Sequence, residues 1–468
     1  MENYKKKYMK YKKKYYELCK KKIKGGEIKN NIINPEEWRN KKVEEKDIIA
    51  LHNNSIFNLL IPSTKKIENY HIFSNKLKTG NIVSNQKNSG RCWMFAGLNV
   101  IRNKFIRDYN LKNSFEFSQN YLFFWDKLER MNYIMNLIEK LYKKGEKRNS
   151  RKIENILGTF MDDGGNWSML TNLIKKYGLV PDIAFPETYH SSSSDDINTL
   201  LKKKIKEYTR DIYNKSLDKE KAVKEVYMLL VKCFGKPPNK FDWEYMDKKE
   251  KYQIKKDLSP EKFMKLVKKD LSDYVYLIND PRNEYGCNYS VEHLNNMEDG
   301  DKIKYLNVDM EIIKDLVKKS IDNNEGVYFA CDVGKYLLGK ENVMDTEIYK
   351  MDELLEMNFD LTKKEKLIYY DTQPTHAMVI TGYNKVGNEI NRWQIENSWG
   401  DGEATIENIC KNSGNDYKGY YSMTDKWMDE YVFEVSINKK YVTNEIKKKW
   451  NENIKYVYPL WDPFGTLA

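Results

Sequence analysis

The sequence is most informative at Gln86-Lys87-Asn88-Ser89-Gly90-Arg91-Cys92-Trp93-Met94-Phe95-Ala96. The polar residues before Gly90 predict a turn. From Trp93 to Ile101 every residue except Asn99 is apolar or glycine, and a helix that is apolar on all sides is a buried one. We therefore expect a buried helix with Cys92 at its N-terminus.

That position would make the thiol of Cys92 reactive. The unpaired N–H groups and the positive end of the dipole at a helix N-terminus favour an anion, so we expect a lowered pKa and a thiolate nucleophile. Gln86 lies six positions upstream (92 − 86 = 6), where its amide would donate to an oxyanion beside the backbone N–H of Cys92. A buried structural cysteine is the alternative, since free Cys is among the most buried residue types.

A cysteine nucleophile needs a base, and the base needs an orienting group. Of the five histidines, one stands at the head of a strand-like apolar run, His376-Ala377-Met378-Val379-Ile380-Thr381-Gly382-Tyr383. We take His376 as the base. The segment Arg392-Trp393-Gln394-Ile395-Glu396-Asn397-Ser398-Trp399-Gly400 then places Asn397 at a strand end. Asn397 would orient the imidazole, and Trp399 would cover the hydrogen bond between them from water.

The residues around Cys92 resemble the papain superfamily, whose local signature is Cys-Gly-[Ser/Ala]-Cys-[Trp/Tyr]. This chain has Ser89-Gly90-Arg91-Cys92-Trp93 instead. The Arg before the nucleophile and the whole run from Asn85 to Trp93 resemble the bleomycin hydrolase and aminopeptidase C branch of that superfamily. The resemblance covers residues 40–468 and matches all four catalytic positions, Gln86, Cys92, His376 and Asn397.

The resemblance implies an α+β, papain-like cysteine proteinase fold. Cys92 and His376 are 284 positions apart (376 − 92 = 284), against roughly 130–150 in papain-like enzymes, so a large insertion is expected. We predict a peptidase domain over 31–468. It has a helical half (about 85–190), a helical insertion (about 191–320), a β-barrel half (about 321–440) and a C-terminal arm (about 455–468) that lies in the active-site cleft.

The resemblance also implies function. It points to a homohexameric ring with aminopeptidase activity on short peptide substrates and amide hydrolysis of bleomycin-like compounds, without a metal or organic cofactor. The turn Gly164-Gly165-Asn166 would line the substrate cleft, together with Trp399. The carboxylate of Ala468, at the end of the arm, would face the α-ammonium of the substrate.

The net charge of +12 raises the alternative of a nucleic-acid-binding protein. Residues 1–22 hold ten Lys and two Glu, a net of +8, which leaves +4 for the other 446 residues. We predict a basic Lys/Tyr-rich extension over 1–30. It is either a solvated extension or, through residues 1–24, a contact for nucleic acid, an anionic surface or a partner helix. A further alternative is a thiol transferase or thiolactone hydrolase that uses the same four residues.

The six cysteines include no Cys-x2-Cys pair, which argues against a zinc site and a disulfide framework. A reducing, cytoplasmic compartment fits a thiol enzyme. No apolar run reaches the length of about 18 residues that a membrane span needs, and the Lys-rich start lacks the apolar region of a secretory signal.

Overall fold

The structure is a computed structural model that describes residues 38, 39, 43–62, 65, 71–78, 82–400 and 419–467. The Lys-rich segment 1–24, the predicted boundary at residue 30 and Ala468 lie outside the described residues. The chain divides into two compact units, Met1–Leu59 and Leu60–Ala468. The described part of the first unit contains helices α1 (Glu45–Asn53) and α2 (Ile56–Leu59).

The larger unit begins with β1 (Asn75–Lys76) and a series of helices. Side-chain caps start several of them: Ser118 accepts from the N–H of Tyr121, and Asp218 accepts from that of Lys221, as is typical of N-cap residues. The helices are α3 (Cys92–Asp108), α4 (Gln119–Lys143), α5 (Arg151–Thr159), α6 (Trp167–Tyr177), α7 (Tyr189–Ser192), α8 (Asp195–Tyr213) and α9 (Lys219–Phe234).

Helix α3 confirms the prediction of a buried helix that begins at Cys92. All residues from Cys92 to Asn103 are buried. The contact with α6 is close, because a Cβ on Gly97 would come within 2.0 Å of a methyl carbon of Leu170. Any larger residue at position 97 would therefore require the Leu170 side chain to move.

The rest of the larger unit alternates strands and short helices. The strands are β2 (Phe241–Met246), β3 (Tyr252–Leu258), β4 (Tyr274–Ile278), β5 (Asn288–Val291), β6 (Tyr305–Asn307), β7 (Val327–Cys331), β8 (Leu337–Leu338), β9 (Val343–Met344), β10 (His376–Val386), β11 (Glu389–Glu396), β12 (Tyr420–Thr424), β13 (Val432–Asn438) and β14 (Ile454–Tyr458). The helices are α10 (Pro260–Met264), α11 (Met310–Asp322), α12 (Met351–Leu355), α13 (Lys363–Ile368), α14 (Asp425–Tyr431) and α15 (Asn444–Asn451).

Twelve of the described strands form one mixed sheet. Its order is β14-β5-β6-β4-β13-β7-β10-β11-β12-β9-β8, with β1 paired to β10, while β2 and β3 form a separate hairpin. The strands predicted as a β-barrel half therefore belong to a sheet that also takes in β4, β5 and β6 from the region predicted as a helical insertion.

The region 191–320, predicted as a helical insertion, thus contains strands as well as helices. Helices fill it as far as Phe234, but the hairpin and three sheet strands follow before α11. The run Tyr274-Val275-Tyr276-Leu277-Ile278 is short, aromatic and β-branched, and four of its five residues are buried. Periodicity alone does not separate such a fully buried strand from a helix segment.

Strand β10 lies in the middle of the sheet and is covered on both faces. Ala377 and Val379 belong to the core that includes α3, whereas Met378 and Ile380 belong to the core on the other face. A strand buried on both sides reads as a continuous apolar run, which explains the sequence pattern after His376. The first residue of β10 therefore lies beside the start of α3.

Candidate active site

Cys92 is the first residue of α3 and is 3% exposed. The N–H groups of Met94 and Phe95 donate to the carbonyl of Arg91, so the helix begins at the thiol. The backbone of Ala377, the second residue of β10, hydrogen-bonds the Cys92 thiol, as does that of Trp93. The expected nucleophile, Cys92, therefore lies at the junction of helix and sheet.

Burial raises the pKa of the Cys92 thiol to about 11, and Asp163 adds to this effect. The hydrogen bonds from the backbone of Ala377, Trp93 and Cys92 lower the pKa by less than burial raises it. The expectation of a lowered pKa is therefore wrong. That expectation rested on the helix N-terminus, which can be predicted from the sequence. It left out the desolvation of the thiol, which depends on how the helix packs against the sheet.

His376 and Asn397 form the predicted pair. Nε2 of His376 lies 2.8 Å from Oδ1 of Asn397, and the same oxygen accepts the N–H of Ser398 at 2.7 Å. An amide oxygen only accepts, so Nε2 carries the proton and Nδ1 is the basic nitrogen. Burial lowers the pKa of His376 to about 4, although the bond to Asn397 raises it. The imidazole is therefore neutral and able to accept a proton at physiological pH.

Trp399 covers this pair. Its ring lies 4.9 Å from the imidazole between centroids and makes an edge contact with the Tyr421 ring at 5.9 Å. Trp399 is nevertheless 39% exposed. The indole therefore covers the imidazole while part of it faces solvent.

Gln86 is held from several sides. Its backbone N–H donates to the carbonyl of Ser398 at 2.8 Å, its Oε1 accepts the hydroxyl of Ser398 at 2.6 Å, and its Nε2 donates to the carbonyl of Ser89 at 2.6 Å. The next residue, Lys87, has φ of +53°, a conformation that costs roughly 1–3 kcal/mol and persists only where surrounding contacts impose it. One N–H of the Gln86 amide is committed to Ser89, and the second is the one that would meet an oxyanion.

The glycine turn Gly164-Gly165-Asn166 serves packing as well as any substrate role. A Cβ on Gly165 would come within 2.4 Å of the Trp93 ring, and one on Gly164 within 2.6 Å of the carbonyl oxygen of Leu467. Asn166 is buried, caps α6 by accepting from the N–H of Met169 and donates to the Tyr305 hydroxyl at 3.3 Å.

Sequence reasoning gave Asp163, which begins this turn, no role of its own. Its carboxylate accepts the N–H of Gly90 at 3.0 Å, the amide of Asn198 at 2.7 Å and the hydroxyl of Ser194. The ammonium of Lys127 lies 2.7 Å away. Although burial opposes ionisation, Lys127 and these hydrogen bonds hold the pKa of Asp163 well below its usual range. Asp163 thus fixes the turn before Cys92, through partners too distant in sequence to be recognised as a motif.

The C-terminal arm is anchored by an ion pair that the sequence did not reveal. Arg282 donates two hydrogen bonds to Asp462, at 3.0 and 3.1 Å, and two to Asp280, at 2.9 and 3.0 Å. Phe464 is 3% exposed and stacks on Tyr458 at 5.7 Å. The apolar side chains of Trp461, Phe464 and Leu467 in the arm all belong to or pack against the main core.

Other site types find no support within the described part of the chain. No group of three or more His, Cys, Asp or Glu side chains there could hold a metal ion. Cys92, Cys233, Cys287 and Cys331 are free thiols. No helix among the described residues is long and apolar enough to cross a membrane.

Comparison with known proteins agrees with this geometry. The sequence model of the Peptidase C1-like family matches residues 32–465. The chain belongs to this family.

Relatives share most of their length with it. An Aminopeptidase C of Listeria monocytogenes is 40% identical over 416 residues, covering 86% of this chain and 90% of the relative. A Bleomycin hydrolase of Gallus gallus is 38% identical over 408 residues, covering 83% and 87%. The solved structure of PepW from Lactobacillus rhamnosis superposes with a TM-score of 0.84 at 38% identity, covering 90% of this chain and 95% of that one. The predicted papain-like α+β fold is confirmed.

The pKa shifts predict the pH profile of this cysteine peptidase. As the expected catalytic pair, Cys92 and His376 would be active with one proton between the thiol and the imidazole, and a second proton on His376 would abolish activity. Because the pKa of His376 is lowered to about 4, kcat/KM for a chromogenic substrate should hold down to mildly acidic pH and fall only as pH drops through about 4. An acid limb near 6.5, the ordinary value for histidine, would contradict the buried, neutral imidazole.

Proposed function

We propose that this protein is a cysteine aminopeptidase of the bleomycin hydrolase type, which removes N-terminal residues from peptides and hydrolyses related amides. The observation that carries the proposal is the hydrogen bond from His376 Nε2 to Asn397 Oδ1 beside a cysteine at a helix N-terminus. The names of the relatives, Aminopeptidase C and Bleomycin hydrolase, support the same activity.

The mechanism follows from the protonation states. Nδ1 of His376 takes the proton of the Cys92 thiol as the sulfur attacks the substrate carbonyl carbon. The oxyanion that forms accepts from the second Gln86 N–H and from the backbone N–H of Cys92. The imidazolium then donates its proton to the leaving amine as the C–N bond breaks. Water, deprotonated by His376, hydrolyses the thioester and restores the thiol.

The arm would make the enzyme an aminopeptidase. The carbonyl of Leu467 lies against Gly164, and a cavity of about 350 Å³ is lined by Gly164, Thr466, Leu467 and Gln373, among others. We place the N-terminal residue of the substrate in this region, where Gly164 lines the cavity. Gly165, Asn166 and Trp399 do not line it, and their contact with the substrate remains a prediction from the family resemblance. The Ala468 carboxylate would pair with the α-ammonium of the substrate, which contributes roughly 1–4 kcal/mol at about 4 Å before desolvation.

Four further features belong to the same proposal. A homohexamer rests on the family resemblance, and a cytoplasmic location rests on the cysteine pattern, which lacks a disulfide framework and fits a thiol enzyme in a reducing compartment. Weak nucleic-acid binding through residues 1–24 rests on the +8 charge of residues 1–22. Hydrolysis of thiolactones or thioesters would use the same thiol, and a substrate panel distinguishes it from amide hydrolysis.

The first test is a panel of aminoacyl-fluorophore substrates with free and blocked amino groups. The wild-type protein should hydrolyse the free forms, and Cys92→Ala should lose at least about 10³-fold in kcat, because the nucleophile is gone. Cys233→Ala, which removes a thiol far along the chain, is the matched control and should keep full activity. Appreciable turnover by Cys92→Ala would exclude the mechanism.

The second test addresses the arm. Deleting residues 465–468 should lower kcat/KM for free amino termini and admit N-terminally blocked peptides, because the ammonium partner and the obstacle are both removed. Alkylation of Cys92 by iodoacetamide should continue, which shows that the site is intact. A truncated enzyme that still rejects blocked peptides would show that another group selects the amino terminus.

A further inference from the structure

A fully buried cation lies directly before the nucleophile, and the mechanism above does not use it. The Arg91 side chain is inaccessible to solvent and forms a bidentate pair with Glu187, at 2.8 and 2.9 Å. Its guanidinium also lies over the rings of Phe95 and Phe123, at 5.2 and 5.1 Å. A planar guanidinium held by two carboxylate oxygens and two rings has a fixed orientation.

Arg91 also makes a side-chain hydrogen bond to Ser89, in the turn before Cys92. Its Nε donates to the hydroxyl oxygen of Ser89 at 2.9 Å, and that hydroxyl lies 2.6 Å from the carbonyl oxygen of Gln86. A guanidinium has no acceptor, so the Ser89 oxygen must accept from Arg91 and its single hydrogen must go to Gln86. The position of the Gln86 backbone is thereby tied to that of Arg91.

The Gln86 side chain also contacts Ser89: its Nε2 donates to the backbone carbonyl of Ser89 at 2.6 Å. Ser89 therefore holds both the backbone and the amide of Gln86. The other end of the chain of contacts, Glu187, also accepts the hydroxyl of Ser191 at 2.6 Å and has a side chain 31% exposed. One continuous path of contacts runs from this partly exposed carboxylate through Arg91 and the Ser89 hydroxyl to the backbone carbonyl of Gln86, the residue whose amide is expected to bind the oxyanion.

We propose that Arg91, fixed by Glu187, is a positioning residue that orients Gln86 through the Ser89 hydroxyl, so that the oxyanion donor is in place before the substrate arrives. The inference rests on the role proposed for Gln86. Donors fixed in advance stabilise an oxyanion without reorganisation during the reaction. Loss of the Ser89 hydroxyl therefore slows acyl transfer but leaves the reactivity of the thiol itself unchanged.

The test compares two reactions of Cys92 in Ser89→Ala. Acylation by p-nitrophenyl acetate passes through an oxyanion and needs no amino terminus, whereas alkylation by iodoacetamide forms no oxyanion. Acylation should fall at least about tenfold, since removal of a whole oxyanion donor costs about 10²–10³-fold, and alkylation should change less than about twofold. Ser89→Thr restores the hydroxyl and should recover acylation. Ser216→Ala, at an exposed serine in another turn, is the matched control and should behave as wild type.

A double-mutant cycle shows whether Ser89 acts through Gln86. In a Gln86→Ala background, Ser89→Ala should cause little further loss of acylation. Equal losses in both backgrounds, parallel losses of acylation and alkylation, or no loss at all would overturn the proposal. If Ser89→Ala does not fold, as judged by its thermal midpoint, Glu187→Gln at the partly exposed end of the path should give the same selective loss.

The ester assay separates this inference from the proposed function. A wild-type protein that is acylated by the ester but hydrolyses no aminoacyl amide would contradict the aminopeptidase assignment, and the Ser89 comparison would still test the positioning role. Conversely, aminopeptidase activity that survives Ser89→Ala unchanged would contradict the positioning role alone.

Discussion

The whole site depends on the packing of one buried helix, Cys92–Asp108, against the strand that begins at His376. A buried ion pair also joins this helix to the neighbouring strand β11: Arg102 and Glu396, the last residue of β11, lie 2.8 Å apart, and each side chain is 1% exposed. Removing one partner of such a pair typically costs about 3–5 kcal/mol, because the other charge is left buried and unpaired. Glu396 directly precedes Asn397, so the same pair that joins helix to sheet also places the orienting amide beside its histidine.

The same packing sets the balance of charge at the nucleophile. A helix N-terminus stabilises an anion by about 0.3–1 kcal/mol, and one pKa unit corresponds to about 1.4 kcal/mol. Burial raises the pKa of the Cys92 thiol from 9.0 to about 11. The free-energy cost of this shift is larger than the stabilisation that the helix dipole supplies to the thiolate. Activation of the thiol therefore depends on the neutral imidazole of His376. The hydrogen bond to Asn397 fixes the tautomer of this imidazole. Fixed donors, the Gln86 amide and the Cys92 N–H, would likewise stabilise the oxyanion without reorganisation during the reaction.

The local features of the site were predictable from sequence, and the long-range ones were not. The buried helix after Cys92 and the strand after His376 each follow from an apolar run beside a polar residue, and the strand that ends just before Asn397 follows from the alternation of Trp393 and Ile395 with polar residues. The ion pair of Arg282 with Asp462 joins positions 180 residues apart, and single-sequence patterns carry no such information. The strands in 274–307 were missed because short, fully buried strands lack alternation. The raised pKa of Cys92 was missed for the related reason that desolvation is a property of the assembled core.

The central claim is that Cys92, His376, Asn397 and Gln86 form one preassembled acyl-transfer site at this helix–sheet junction. A crystal structure of the protein reacted with an aminoacyl aldehyde tests it most directly. We expect a bond from Cys92 Sγ to the aldehyde carbon, with the resulting oxygen within about 3 Å of both Gln86 Nε2 and the Cys92 backbone nitrogen. An adduct on another cysteine, or an oxygen directed away from Gln86, would contradict the account.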